Sequence, residues 1–146
     1  MELLKRDPTI LFVDDDPEVL SALRRCFRHE PYRIFTAGGP EEGLSWLDKA
    51  PIDLIVTDER MPGMCGTDLL REVRARSPRT SRALLTGYPG DTLIRQGLES
   101  GADTFLYKPW TDETLRQTVR RVLLKGPPAG KRDASAPDFD LGGEGG

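Results

Sequence analysis

The stretch "LIVTDERMPG", residues 54–63, decides the fold and raises the first question about function. Leu54–Val56 is an apolar run typical of a strand that is buried on both faces. The strand ends near Asp58, and Met61-Pro62-Gly63 then turns the chain. A single Asp in this position is most simply a helix cap or a solvated loop acid. Whether Asp58 does more depends on what the rest of the sequence places beside it.

The composition is that of a globular domain without a strong charge bias. The 146 residues carry a net charge of −3, with 37% hydrophobic and 31% charged residues, and this length suits one domain. No apolar run approaches the ~20 residues of a membrane span, and the N-terminus lacks the apolar centre of a signal peptide. We expect a cytoplasmic protein that binds neither membranes nor, directly, nucleic acid.

The sequence has few residues for thiol or imidazole chemistry. Its one histidine, His29, excludes a metal site built from several histidines and a Ser-His-Asp triad. Cys26 and Cys65 stand in unrelated contexts, which predicts two reduced thiols that serve mainly in packing.

Strand-like and helix-like segments alternate along the chain. Five strands are predicted, at Thr9–Val13, Tyr32–Thr36, Asp53–Thr57, Ser81–Leu85 and Thr104–Tyr107. Helical spacing follows each of them, although Gly97 is expected to interrupt the fourth helix. This alternation predicts an α/β fold, a three-layer doubly wound sandwich with a parallel five-stranded sheet.

The composition changes at residue 126. Residues 126–146 are rich in Gly, Pro, Ala and Asp and show no periodicity, so we expect a disordered tail or a linker remnant. Residues 1–125 are predicted to form one domain, with its strand and helix core at about 8–124.

Reactive side chains follow four of the five predicted strands. Asp14-Asp15-Asp16 follows the first, Asp58 the third, Thr86 the fourth and Lys108 the fifth. Parallel strands bring their carboxyl ends to one edge, where ligands bind in such sheets. Clustered carboxylates need a cation, and oxygen ligands without histidine or thiolate favour Mg²⁺. With a hydroxyl and an ammonium group nearby, the set predicts phosphoryl transfer onto one of the aspartates.

Four fragments, "ILFVDDDPEVL", "LIVTDERMPGMCG", "LLTGY" and "FLYKPW", in this order and spacing, resemble the receiver domain of two-component response regulators. The resemblance covers roughly residues 8–124. It implies a flavodoxin-like fold with strand order 2-1-3-4-5, for which a member of this family is a standard example.

The resemblance also implies roles for individual residues. Asp58 matches the phosphoacceptor, and Asp14 and Asp15 match the acid pair that holds Mg²⁺ together with Asp58. The backbone carbonyl of Arg60 would be a further ligand to the metal. Thr86 matches the family's conserved hydroxyl.

The remaining matches lie on the fifth strand or directly after it. Lys108 matches the conserved lysine, and Lys108-Pro109 the position of a cis peptide bond. Phe105 matches the aromatic switch residue, which would turn inward when Thr86 moves toward the phosphoryl group. The alternative for Phe105 is ordinary packing in the core.

The family's partners follow from the same resemblance. A sensor histidine kinase or a phosphotransfer protein would donate the phosphoryl group. The fourth helix, fifth strand and fifth helix would then signal to a partner or output domain, and a homodimer through this surface is possible. Such a protein is not a metabolic enzyme, because it catalyses only its own phosphorylation and slow dephosphorylation.

Two other functions are left open. The segment "VDDDPEV" loosely matches haloacid-dehalogenase-type phosphatases, with Asp14 as nucleophile and Asp16 as acid. Against this, Glu18 replaces the expected Thr or Val, and the acidic pair beyond the lysine and a cap insertion are missing. The chain could also be an interaction module that is never phosphorylated.

Two groups of large side chains have open roles. Arg60 and Tyr88 flank the predicted site and would either shield the phosphoryl group from water or face solvent. A basic run is expected to form a solvated face, because no aromatic residues interleave with it for base stacking; it comprises Arg71, Arg74, Arg76, Arg79 and Arg82.

Overall fold

The computed structural model describes residues 6–87 and 90–127. Strands and helices alternate strictly within these ranges. The strands are β1 (Thr9–Val13), β2 (Arg33–Ala37), β3 (Leu54–Thr57), β4 (Ser81–Thr86) and β5 (Thr104–Tyr107). The helices are α1 (Pro17–Cys26), α2 (Pro40–Lys49), α3 (Gly66–Arg76), α4 (Asp91–Glu99) and α5 (Asp112–Lys125).

The five strands form one parallel sheet in the order β2-β1-β3-β4-β5. Helices cover both faces. The core on one face joins α1 and α5 to the sheet, and the core on the other joins α2, α3 and α4. Because both faces are covered, β1, β3 and β4 are buried along their whole length. The predicted flavodoxin-like doubly wound sandwich is therefore confirmed.

Side-chain caps fix the first turn of two helices. Asp16 Oδ1 accepts a hydrogen bond from the Glu18 amide at the start of α1, where Pro17 occupies the first helical position. Thr111 caps α5 in the same way through the Thr114 amide. Of the three consecutive acids after β1, Asp16 therefore belongs to the helix.

Most predicted boundaries lie within one or two residues of the observed ones. β2 is displaced by one residue, because Arg33 at its start pairs with Thr9 and Ala37 at its end pairs with Val13. Thr86 is the last residue of β4, paired with Tyr107, although the prediction placed it just beyond the strand. The tail predicted from residue 126 lies outside the described residues from 128 onward.

The prediction that Gly97 interrupts the fourth helix is wrong, since α4 continues through it. Gly97 lies where α4 approaches the ring of Phe105. A Cβ atom at this position would lie 2.7 Å from Cζ of Phe105, well inside van der Waals contact. The glycine thus allows a close approach between helix and strand, which outweighs its low helix propensity.

The prediction that Arg82 belongs to a solvated basic face is also wrong. Arg82 lies on β4 and is 5% exposed. Its Nε donates to the carbonyl of Gly101 at 2.8 Å, and Nη1 donates to the carbonyl of Thr80 at 2.9 Å. The strand position points the side chain into the protein, where these carbonyls satisfy the guanidinium. It thereby ties β4 to the turn that follows α4.

None of the helices in the described residues is both long enough and apolar enough to cross a membrane.

The Gly97–Phe105 contact can be tested by a double-mutant cycle. Gly97→Ala should lower the free energy of unfolding by about 1–3 kcal/mol, because the added methyl group overpacks the core against the ring. Phe105→Leu shortens the opposing side chain, so the double variant should lose less than the sum of the single losses. Urea unfolding measures all four proteins.

Gly39→Ala is the matched control, because a Cβ at residue 39 has no atom within 4 Å and the backbone there is extended. Additive losses in the cycle, or a Gly97→Ala protein as stable as the control, would contradict the proposed contact.

Candidate functional site

The site lies at the carboxyl edge of the sheet, where Asp14 follows β1 and Asp58 follows β3. Backbone hydrogen bonds hold both residues as extensions of the strands. The Asp14 amide donates to Ala37 at 3.1 Å, and the Asp58 amide donates to Val13 at 3.0 Å. The two carboxylates are therefore positioned by neighbouring strands of the rigid sheet.

Asp14, Asp15 and Asp58 form one carboxylate cluster. Each offers an oxygen within 4.8 Å of the other two, and the three residues are buried, exposed and half-buried respectively. Asp14 is additionally fixed because its Oδ1 accepts from the Asp16 amide at 2.9 Å. The donor set consists only of hard oxygen atoms, close enough together to share one ion. This composition fits Mg²⁺.

Lys108 lies between two members of this cluster. Its Nζ is 3.0 Å from Oδ2 of Asp14 and 3.2 Å from Oδ1 of Asp58. The lysine is held by its own backbone, since its amide donates to the carbonyl of Thr86 at 3.0 Å. The peptide bond between Lys108 and Pro109 is cis. The ammonium group thus binds carboxylates from two strands.

Burial and charge shift the proton affinities of this pair. Burial raises the pKa of Asp58, the Lys108 ammonium lowers it and the Asp14 carboxylate raises it, leaving the pKa above its ordinary value of 3.8. Burial lowers the pKa of Lys108, but hydrogen bonds and charge from Asp14 and Asp58 outweigh burial and leave that pKa raised. Lys108 therefore stays cationic at neutral pH, whereas the charge on Asp58 is only partly compensated.

The other predicted site residues differ in burial. Thr86 ends β4 at the same edge and is 7% exposed. Arg60 is exposed, and no described residue donates a hydrogen bond to its carbonyl oxygen. Phe105 is already buried under α4 in this structure. Tyr88 lies outside the described residues.

Two residues shape the loop after Asp58, and sequence reasoning missed the role of one of them, Glu59. Gly66 is pressed against the backbone of Asp58, and a Cβ there would collide with the Asp58 carbonyl oxygen. Glu59 accepts a hydrogen bond from the Thr67 amide through Oε1 at 2.8 Å. Glu59 and Thr67 are eight residues apart, so no local spacing rule signals this contact.

The site combines three chemical functions at the carboxyl edge of the sheet. A half-buried carboxylate can accept a group by nucleophilic attack, an ammonium can bind an anionic oxygen, and the carboxylate cluster can hold a divalent cation. These are the parts that transfer of a phosphoryl group requires, because that reaction depends on positioning and charge neutralisation.

Comparison with known proteins identifies one family over most of the chain. The family model described as the response regulator receiver domain matches residues 10–120. The hydrogenase transcriptional regulatory protein HoxA of Cupriavidus necator is 35% identical over 119 residues, which are 81% of this chain and 24% of HoxA. The chain thus spans about a quarter of the length of that relative.

Solved structures match over almost their whole length. The signal receiver domain of an HD domain-containing protein from Pseudomonas fluorescens Pf-5 has a TM-score of 0.80 and 32% identity, covering 84% of this chain and 90% of the other. The chemotaxis protein CheY4 of Vibrio cholerae has a TM-score of 0.76 and 30% identity, covering 80% and 98%.

The match over residues 10–120 includes every strand of the sheet except the first residue of β1, together with both aspartate-bearing strand ends. This family assignment replaces the haloacid-dehalogenase alternative. The chain belongs to the family of response regulator receiver domains, the signalling modules of two-component systems.

Proposed function

We propose that the protein accepts a phosphoryl group on Asp58 and changes its surface in response. The observation that carries this proposal is the position of the Lys108 ammonium, which lies 3.2 Å from Asp58 while Asp14 and Asp15 complete the carboxylate cluster. Lys108 contacts Asp14 and Asp58, and of these two Asp58 is the candidate acceptor because its side chain is 12% exposed whereas that of Asp14 is 3% exposed.

The proposed step is an in-line displacement. An oxygen of the Asp58 carboxylate forms a bond to phosphorus as the bond between phosphorus and the donor's histidine nitrogen breaks. The electron pair remains on that nitrogen, which then takes a proton from solvent. Lys108 stabilises the negative charge on the phosphoryl oxygens, and the Thr86 hydroxyl donates to another of them. Hydrolysis of the resulting acyl phosphate by water would restore Asp58.

Mg²⁺ is the proposed cofactor. Asp14, Asp15, Asp58 and the backbone carbonyl of Arg60 would hold it. When bound, it would neutralise carboxylate charge and polarise a phosphoryl oxygen. The short distances among the carboxylate oxygens of Asp14, Asp15 and Asp58 support this assignment.

The proposed donor is a sensor histidine kinase or a phosphotransfer protein, and the proposed output surface is α4-β5-α5. Thr86 and Phe105 would connect this surface to the site. Because Phe105 is buried in this structure, the proposed switch would shift the packing between its ring and α4 rather than bring an exposed ring inside. Phosphorylation would bias an existing equilibrium between two arrangements.

The similar proteins differ in the kind of response that their receiver domains control. HoxA is a transcriptional regulatory protein, the neighbour from P. fluorescens belongs to an HD domain-containing protein, and CheY4 acts in chemotaxis. Similar receivers therefore serve different outputs. We propose signalling to a partner protein or an output domain, with dimerisation through α4-β5-α5 as a second use of that surface.

Phosphorylation can be tested with a small-molecule donor. Incubation with acetyl phosphate and Mg²⁺ should add the mass of one phosphoryl group, because the site itself supplies the catalysis. Asp58→Asn should abolish the addition, whereas Asp48→Asn, which changes an exposed carboxylate on α2, should leave it intact. Intact-protein mass spectrometry measures both.

Lys108→Met should slow the addition by about 10²–10³-fold, the range for loss of one charge-stabilising donor. Phosphorylation of the Asp58→Asn protein at the wild-type rate would place the acceptor elsewhere. No phosphorylation of the wild type by acetyl phosphate or by a phosphorylated phosphotransfer domain would favour the unphosphorylated interaction module.

The raised pKa of Asp58 predicts a pH-dependent stability difference. As the pH rises above 3.8, the carboxyl ionises more readily in the unfolded chain than in the folded protein, so its ionisation destabilises the fold. Metal-free Asp58→Asn should therefore melt a few degrees higher than the wild type at pH 7. The difference should shrink as the pH falls towards 3.8.

Mg²⁺ should raise the melting temperature of the wild type more than that of Asp58→Asn, because binding to the folded state stabilises it. Circular dichroism melts with and without EDTA measure both effects. A difference that grows on acidification, or an equal Mg²⁺ response in the two proteins, would contradict the assigned charge balance.

A further inference from the structure

The start of α3 lacks the cap that the fold provides at α1 and α5. Its N-cap residue is Cys65, whose side chain makes no capping hydrogen bond. A thiol is a weak acceptor compared with the oxygen of Ser, Thr, Asp or Asn, which are the preferred residues at this position. The amides of the first turn of α3 therefore need an acceptor from elsewhere.

Glu59 supplies that acceptor from the other end of the loop. Its Oε1 accepts from the Thr67 amide at 2.8 Å, and its own carbonyl oxygen accepts from the Gly66 amide at 2.9 Å. One residue thus binds two consecutive amides at the start of α3. The contact closes the loop formed by residues 59–66.

The closed loop is attached directly to the predicted phosphoacceptor. The carbonyl oxygen of Asp58 accepts from the Thr57 hydroxyl at 2.9 Å, and Gly66 packs against the same carbonyl group. The peptide planes on both sides of Glu59 are therefore fixed by hydrogen bonds or close packing. The next carbonyl along the chain is that of Arg60, the proposed metal ligand.

The contact between Glu59 and the start of α3 also affects the charge balance of the site. Glu59 is a further carboxylate next to Asp58, yet the group of mutually close carboxylates comprises only Asp14, Asp15 and Asp58 among the described residues. The N-terminus of a helix carries partial positive charge, which stabilises a carboxylate that binds there. Held at α3, Glu59 is kept out of the cluster to which it would add repulsion.

We propose that Glu59 is a positioning residue for the phosphoacceptor site. By binding the start of α3, it sets the orientation of Asp58 and of the Arg60 carbonyl. The effect on phosphotransfer rests on the proposed function, whereas the effects on the loop and on Mg²⁺ binding can be measured without it.

The test compares Glu59→Ala with Glu59→Gln. Glutamine keeps an oxygen that can accept from Thr67, whereas alanine removes the contact. In metal-free Glu59→Ala, the Thr67 amide should exchange its hydrogen about fivefold faster, as expected for a lost helix cap. Mg²⁺ affinity should fall about tenfold, which is typical when an outer contact of a metal site is lost. Glu59→Gln should restore most of both.

Glu99→Ala is the charge control, since this exposed glutamate lies at the end of α4. NMR hydrogen exchange measures the loop, and isothermal titration calorimetry measures Mg²⁺ binding. The rate of phosphorylation by acetyl phosphate is a third measurement and should fall in parallel with Mg²⁺ affinity.

A double variant, Glu59→Ala with Cys65→Ser, separates positioning from helix capping. Serine at residue 65 can cap α3 locally, so protection of the Thr67 amide should return while Mg²⁺ affinity stays low. If Mg²⁺ affinity also returned, Glu59 would be only a helix cap and the proposal would be wrong. Unchanged exchange and affinity in Glu59→Ala would overturn it as well.

The same measurements distinguish the two proposals from each other. A wild type that binds Mg²⁺ but accepts no phosphoryl group would refute the proposed function, and the response of Mg²⁺ affinity to Glu59→Ala would still decide the role of Glu59. If Glu59→Ala does not fold, amide exchange and Mg²⁺ affinity are compared among the wild type, Glu59→Gln and the double variant.

Discussion

The site depends on one electrostatic constraint: three carboxylates offer oxygens within 4.8 Å of one another, and a single ammonium group contacts two of the three. Lys108 contacts Asp14 and Asp58 from a third strand, so the pair of ion contacts joins β1, β3 and β5 at one edge of the sheet. One ammonium cannot neutralise three carboxylates. Burial and the Asp14 carboxylate leave the pKa of Asp58 raised against the opposing effect of Lys108, and the residual negative charge makes a divalent cation favourable at this edge.

The sheet was predictable because its strands are buried on both faces. Leu54–Val56, for example, is uniformly apolar, which is typical of a strand that is buried on both faces. Because the strands are parallel, the reactive side chains at their carboxyl ends meet at one edge of the sheet. The carboxylate cluster was likewise predictable from Asp14, Asp15 and Asp58. Strand and helix ends were less certain, as Thr86 illustrates, because pairing with Tyr107 and not local sequence decides where β4 ends.

The sequence-based predictions failed where contacts in the folded protein override the local conformational or surface preference of a residue. Gly97 has a poor helix propensity, yet it lies inside α4 because the ring of Phe105 occupies the space a side chain would need. Arginine is usually found at the surface, yet the carbonyls of Gly101, 19 residues away, and of nearby Thr80 accept hydrogen bonds from the buried guanidinium of Arg82. Glu59 is the third case, since its partner at Thr67 is identifiable only once the loop is folded. None of these contacts leaves a periodic signal.

The buried guanidinium of Arg82 has a mechanical consequence for α4. It anchors the carbonyl of Gly101, two residues beyond the carboxyl end of that helix, to the start of β4. The Arg82 contact and the Phe105 ring beneath Gly97 therefore both hold the carboxyl-terminal half of α4 against β4 and β5.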